Sequence, residues 1–137
     1  MSLSKETIEK LRIVKEAILA QPEYYNQEGW VSSIESCGTT CCMAGWVDFI
    51  FNGKEVHERR AKKLYDPCDS SSGADEWSMV TKKALGLSLD QVHSLTSTSY
   101  GWPGDYGFKY RDATTRKQKS KVAAARIEHF IATGGEE

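Results

Sequence analysis

The sequence predicts an all-α protein: an irregular bundle of about six helices around one buried central helix, with an aromatic-rich loop late in the chain. Three observations carry this. Near the start, Ile8, Leu11, Val14 and Ile18 recur at helical spacing, and near the end Ala123, Ile127, Phe130 and Ile131 do the same. Between them, the run from Thr40 to Phe51 holds one charged residue, Asp48, which leaves a helix no face for solvent. No internal repeat and no linker rich in Pro, Gly or Ser divides the chain, so residues 1–137 are expected to form a single globular domain.

The first helix takes Ser4 as its N-cap and stops near Ala20, because Pro22 disfavours helical geometry at the preceding residue. Glu23-Tyr24-Tyr25 is expected to begin a short second turn. The central helix has Thr39 as a possible cap, and Asn52-Gly53 supplies a left-handed stop. A strand is the competing reading, but twelve residues is long for one. Glu55 to Tyr65 reads as a charged helix with a narrow stripe of Val56, Ala61, Leu64 and Tyr65, broken by Asp66-Pro67. A polar loop over Asp69-Ser70-Ser71-Ser72-Gly73 follows. Ala74 to Leu85 presents Trp77, Val80, Ala84 and Met79, and Gly86 ends it.

Two starting devices coincide in the next segment: Ser88 with Gln91 as a capping box, and Leu87 with Val92 as a hydrophobic staple. Thr96 to Asp112, with Tyr100, Trp102, Pro103, Tyr106, Phe108 and Tyr110, is expected to be an ordered aromatic loop, with a short strand through Phe108 and Tyr110 as the alternative. Thr115 to Thr133 is the last helix, with Gly134 past its end.

Composition narrows the function classes. Eighteen Lys and Arg against 19 Asp and Glu leave a net charge of −1, so global charge argues for neither nucleic acid nor an anionic membrane. No stretch approaches the roughly 20 apolar residues of a membrane span, and the N-terminus lacks a signal-peptide pattern, so the chain is expected in the cytoplasm. Met1-Ser2-Leu3 and Glu136-Glu137 look like residues left by expression vectors.

The segment Cys37-Gly38-Thr39-Thr40-Cys41-Cys42-Met43-Ala44-Gly45-Trp46 is the most distinctive. A glycine turn feeds a helix N-terminus there, where free N–H groups favour a thiolate at Cys41 or Cys42. These residues resemble a group of uncharacterised small bacterial and phage proteins carrying Cys-Gly-Thr-x-x-Cys-x-Ala-Gly-Trp, the second cysteine falling on Cys41 or Cys42. Leu85-Gly86-Leu87-Ser88, Trp102-Pro103 and Ala125 to Ile131 look like the same group, so the resemblance covers most of the chain. It implies no activity.

Four chemistries remain open. A cysteine-dependent hydrolase would use Cys41 or Cys42 with a histidine such as His57 as base, although Cys37-Gly38 has one residue too many for a papain-like nucleophile segment. Zinc would need ligands such as Cys37, Cys41, Cys68 and His57, but paired knuckles are absent and neither metal nor another cofactor is expected. Nucleic acid finds seven Lys and Arg and one Asp between Lys109 and Arg126, with Arg116, Lys117, Lys119 and Lys121 at the start of the last helix. A binding or accessory role without catalysis is the leading expectation, with a protein partner met by the aromatic loop through Trp102, Tyr106 and Tyr110. The rival is that these rings close the core over Trp46 and Trp77.

Overall fold

The computed structural model describes residues 3–22, 43–64, 74–96 and 102–137, and in these it contains seven helices and no strand. They are α1 (Lys5–Ala20), α2 (Met43–Asn52), α3 (Lys54–Leu64), α4 (Ala74–Leu85), α5 (Leu89–Thr96), α6 (Tyr106–Asp112) and α7 (Arg116–Ala132). α1 packs along α7 and also touches α2 and α4, so it joins the α6–α7 pair to the group formed by α2, α3 and α4. α5 closes the gap between α4 and α7.

The apolar spacing read in the sequence settles which face of each helix goes inward. Leu11, Val14 and Ile18 of α1 meet Met43, Trp46 and Val47 of α2, Val92 and Leu95 of α5, and Ala123, Ile127 and Phe130 of α7 in one cluster. Leu85, Leu87, Trp102 and Tyr110 complete it. Leu3 packs against its edge.

Local devices fix the helix ends. Ser4 accepts a hydrogen bond from the Thr7 N–H at the start of α1. Gly53, at φ +96°, stops α2 in a conformation that favours glycine, and α3 begins at the next residue. Ser88 and Gln91 form the expected capping box, with the Ser88 N–H donating to Gln91 Oε1 at 2.9 Å and the Gln91 N–H to Ser88 Oγ at 3.2 Å. Thr115 and Gln118 make a second box at α7. At its far end, Gly135 N–H donates to Phe130 O at 2.9 Å and Gly134 N–H to Ile131 O at 3.0 Å, a Schellman motif. A Cβ on Gly135 would fall 2.8 Å from Leu3 Cδ2, so this turn is also where the two ends of the chain meet.

Three expectations change. Residues 106–112 are helical rather than loop or strand, because Tyr106 and Tyr110, four apart, turn toward α7 together. The central helix does have a solvent face: Phe49 is 38% exposed and Asn52 exposed, while its single charge, Asp48, is wholly buried. Met79, read as part of the inward face of α4, is 53% exposed. The expected short turn at 23–25, the Thr39 cap and the loop at 69–73 lie outside the described residues.

Candidate functional site

Asp48 is the polar centre of the α2–α3–α4 group. It sits in the second turn of α2 among Met43 to Val47, and its carboxylate is completely shielded from solvent. Because α3 follows α2 after Gly53 alone, the two helices fold back on each other and bring His57 and Arg60 to it. Arg60 Nε donates to Asp48 Oδ2 at 2.9 Å, Asn52 Nδ2 donates to Oδ1 at 2.7 Å, and His57 Nδ1 lies 3.4 Å from Oδ2. Burial works against the charge of Asp48, but the hydrogen bonds from His57, Asn52 and Arg60, with the Arg60 charge, hold its carboxyl below the ordinary Asp range. Arg60 reaches on to Glu76 of α4 at 3.5 Å.

His57 is buried, its ring set edge-on to Phe49 and tilted against Trp77, each with centroids 5.8 Å away. A carboxylate beside Nδ1 is the arrangement that orients a histidine base. The sequence reads His57 as a residue of a charged helix; the structure buries it against Asp48, Phe49 and Trp77.

Beside this cluster lies an open groove of about 680 Å³. Phe51 of α2, Val56 of α3 and Met79, Val80 and Ala84 of α4 supply its apolar lining. Lys10, Arg60, Glu76 and Lys83 supply charge. Lys10 has a structural duty as well, donating to Ala84 O at 2.7 Å while Thr7 Oγ1 donates to Leu85 O at 2.6 Å, so α1 satisfies carbonyls that the end of α4 leaves open. Lys10 Nζ also stands 5.4 Å from the centre of the Phe51 ring.

The proposed aromatic contact residues divide. Trp102 is 6% exposed, donates Nε1–H to Leu95 O at 3.1 Å and meets Tyr110 edge-on at 5.4 Å. Tyr110 is 1% exposed. Both belong to the core, and neither presents a ring to a partner. Tyr106 is half-buried against His129, centroids 5.2 Å apart. Among the described residues of this region the outward ring is Phe108, 65% exposed.

The basic residues divide too. Arg116 and Lys117 are exposed. Lys119 turns inward, donating to Tyr110 O at 2.8 Å with its ammonium 4.7 Å from the Tyr110 ring centre. Arg126 is fully buried: Nη2 donates to Ser94 O at 3.2 Å and Ser94 Oγ at 3.1 Å, while Nε and Nη1 have no partner among the described residues. Burial pushes its pKa down to about 10.

Cys37, Cys41, Cys42 and Cys68 all lie outside the described residues. Among those described, no three His, Cys, Asp or Glu side chains converge as metal ligands, and no helix is long and apolar enough to cross a membrane. The sequence reading missed Asp48, Arg60 and the groove. The signal for Asp48 was present, as a lone charge in an apolar helix. Compared with protein-family models, curated proteins and solved structures, the chain matches none.

Proposed function

We propose that the chain is a small cytoplasmic binding protein that acts by contact, receiving an apolar segment of a partner protein in the groove among α1 to α4. The observation that carries this is the groove itself: a volume of about 680 Å³ with Phe51, Val56 and Val80 half-buried and Met79 53% exposed. Apolar side chains left open together in a concave surface mark a site of association. Lys10 and Lys83 at the lining favour a segment with carboxylates beside its apolar residues, and an amphipathic helix with an acidic flank meets both demands. The chain of contacts from buried Asp48 through Arg60 to Glu76 ties α2, α3 and α4 together and so keeps the groove preformed.

A fluorescein-labelled acidic amphipathic helical peptide, titrated with the full chain and read by anisotropy, tests this. Saturable binding is expected, weakened at least tenfold by Val80→Glu, which puts a carboxylate into the apolar lining. Absence of binding at millimolar protein, or equal binding by Val80→Glu, contradicts the groove as the contact surface.

A second reading is favoured by one contact, Asp48 beside His57 Nδ1: a cysteine-dependent hydrolase in which His57 serves Cys41 or Cys42 as base. It requires a thiol that reacts with iodoacetamide well below pH 8.5, the usual thiol pKa, and loses that reactivity in His57→Gln. Labelling that follows an ordinary thiol titration removes it.

A further inference from the structure

Between Asp105 and Lys121 the chain carries six Lys and Arg against two Asp, although its net charge is −1. α6 runs antiparallel beside α7, with Lys119 near the start of α7 reaching Tyr110 near the end of α6, and Tyr106 at the start of α6 meeting His129 near the end of α7. With Lys119 turned inward, Lys109, Arg111, Arg116, Lys117 and Lys121 are left on the surface around the short connection 113–115.

The charges at the start of α7, Arg116, Lys117 and Lys121, act against the helix that bears them. Lys117 and Lys121 are like charges four residues apart, an arrangement that destabilises a helix, and cations in the first turns oppose the helix dipole. No Asp or Glu occurs on α7 before Glu128, and neither Lys117 nor Lys121 makes an ion pair among the described residues. One face of α6 adds Phe108, 65% exposed, three residues before Arg111 and so beside it. One exposed aromatic ring amid cations, as Phe108 is among the described residues, is too small for a protein interface core, but it is what a base stacks on while its phosphates meet the neighbouring charges.

We infer that the α6–α7 corner binds single-stranded nucleic acid, with Phe108 stacking on a base and Arg111, Arg116, Lys117 and Lys121 following the backbone phosphates. The inference does not rest on the groove, which lies among other helices. Single strands are specified because a duplex hides the base faces that Phe108 would use.

The test is anisotropy of labelled oligothymidylate titrated with the full chain at several salt concentrations. Binding is expected at low salt, with affinity falling as salt rises. Phe108→Ala should weaken it about fivefold or more without changing the salt slope, since stacking releases no counterions. The triple variant R116Q/K117Q/K121Q should reduce the slope of log affinity against log salt by about 2, roughly 0.7 for each phosphate contact removed. Lys54→Gln, on α3, should leave binding unchanged. Absence of binding at low salt, insensitivity to Phe108→Ala, equal binding of a duplex, or an equal loss in Lys54→Gln would each overturn the inference. All five substituted side chains are exposed, and circular dichroism checks that the variants fold.

Discussion

Asp48, the one charge of the central helix, is fully buried and accepts a hydrogen bond at 2.9 Å from Nε of Arg60 on the next helix. A carboxylate in that position is tolerated only while its partners stay in place. Arg60→Met removes the main one and leaves charge buried, so a loss of about 3 kcal/mol is expected in a urea titration. This is the low end for a broken buried pair, because the Arg60 side chain is 21% exposed. The double variant D48N/R60M, with no buried charge, should recover part of the loss. A single-variant loss below about 1 kcal/mol would show that the pair does not hold α2 to α3.

The same carboxylate predicts an acid limit. Its folded-state pKa lies below the unfolded value, so the stabilisation is complete above the unfolded pKa of about 3.9 and is lost as pH falls through the folded pKa. In that window the unfolded chain binds the proton first. Stability measured from pH 6 down to pH 2.5 should fall below about pH 4, with a shallower fall in Asp48→Asn. Parallel curves for the two proteins would contradict the assignment.

What was legible in the sequence follows the range of the interactions. The ends of α5 and α7 are set by residues within four positions of each other, Ser88 with Gln91 and Gly134 with Ile131, and such devices can be read directly. The inward faces of α1 and α7 follow from a period kept over several turns. α6 escaped because seven residues hold only two turns, and Gly107 within it reads as a loop signal. The candidate site escaped for a different reason. Asp48 meets Arg60 twelve residues on and in another helix, and the groove takes residues from four helices, so both depend on crossing geometry that no local pattern records. Arg126 looked like one more cation of a basic segment, and only packing distinguishes it from Lys117 or Lys121.

Trp46 offers a check on the core. It is 5% exposed in the cluster shared by α1, α2, α5 and α7, so Trp46→Ala should cost about 3–5 kcal/mol. A cost under about 1 kcal/mol would show that α2 is not central.

Arg126 should behave in the opposite sense. Its guanidinium is buried with two nitrogens unpartnered among the described residues, and its Cζ stands 5.8 Å from the centre of the Phe130 ring. Arg126→Met keeps the stem packing and removes the buried charge, so stability should be unchanged or raised by about 1 kcal/mol. A loss of 2 kcal/mol or more would mean that the charge is compensated in the folded protein.

The most direct measurement of the proposed binding role is methyl chemical-shift mapping of the full chain with the acidic amphipathic helical peptide. Groove binding predicts saturable shifts at Val56, Met79, Val80 and Ala84, while Val92 and Ile127, buried in the core, stay in place. Saturating shifts elsewhere with the groove methyls unmoved, or no shifts at all at millimolar peptide, would contradict it.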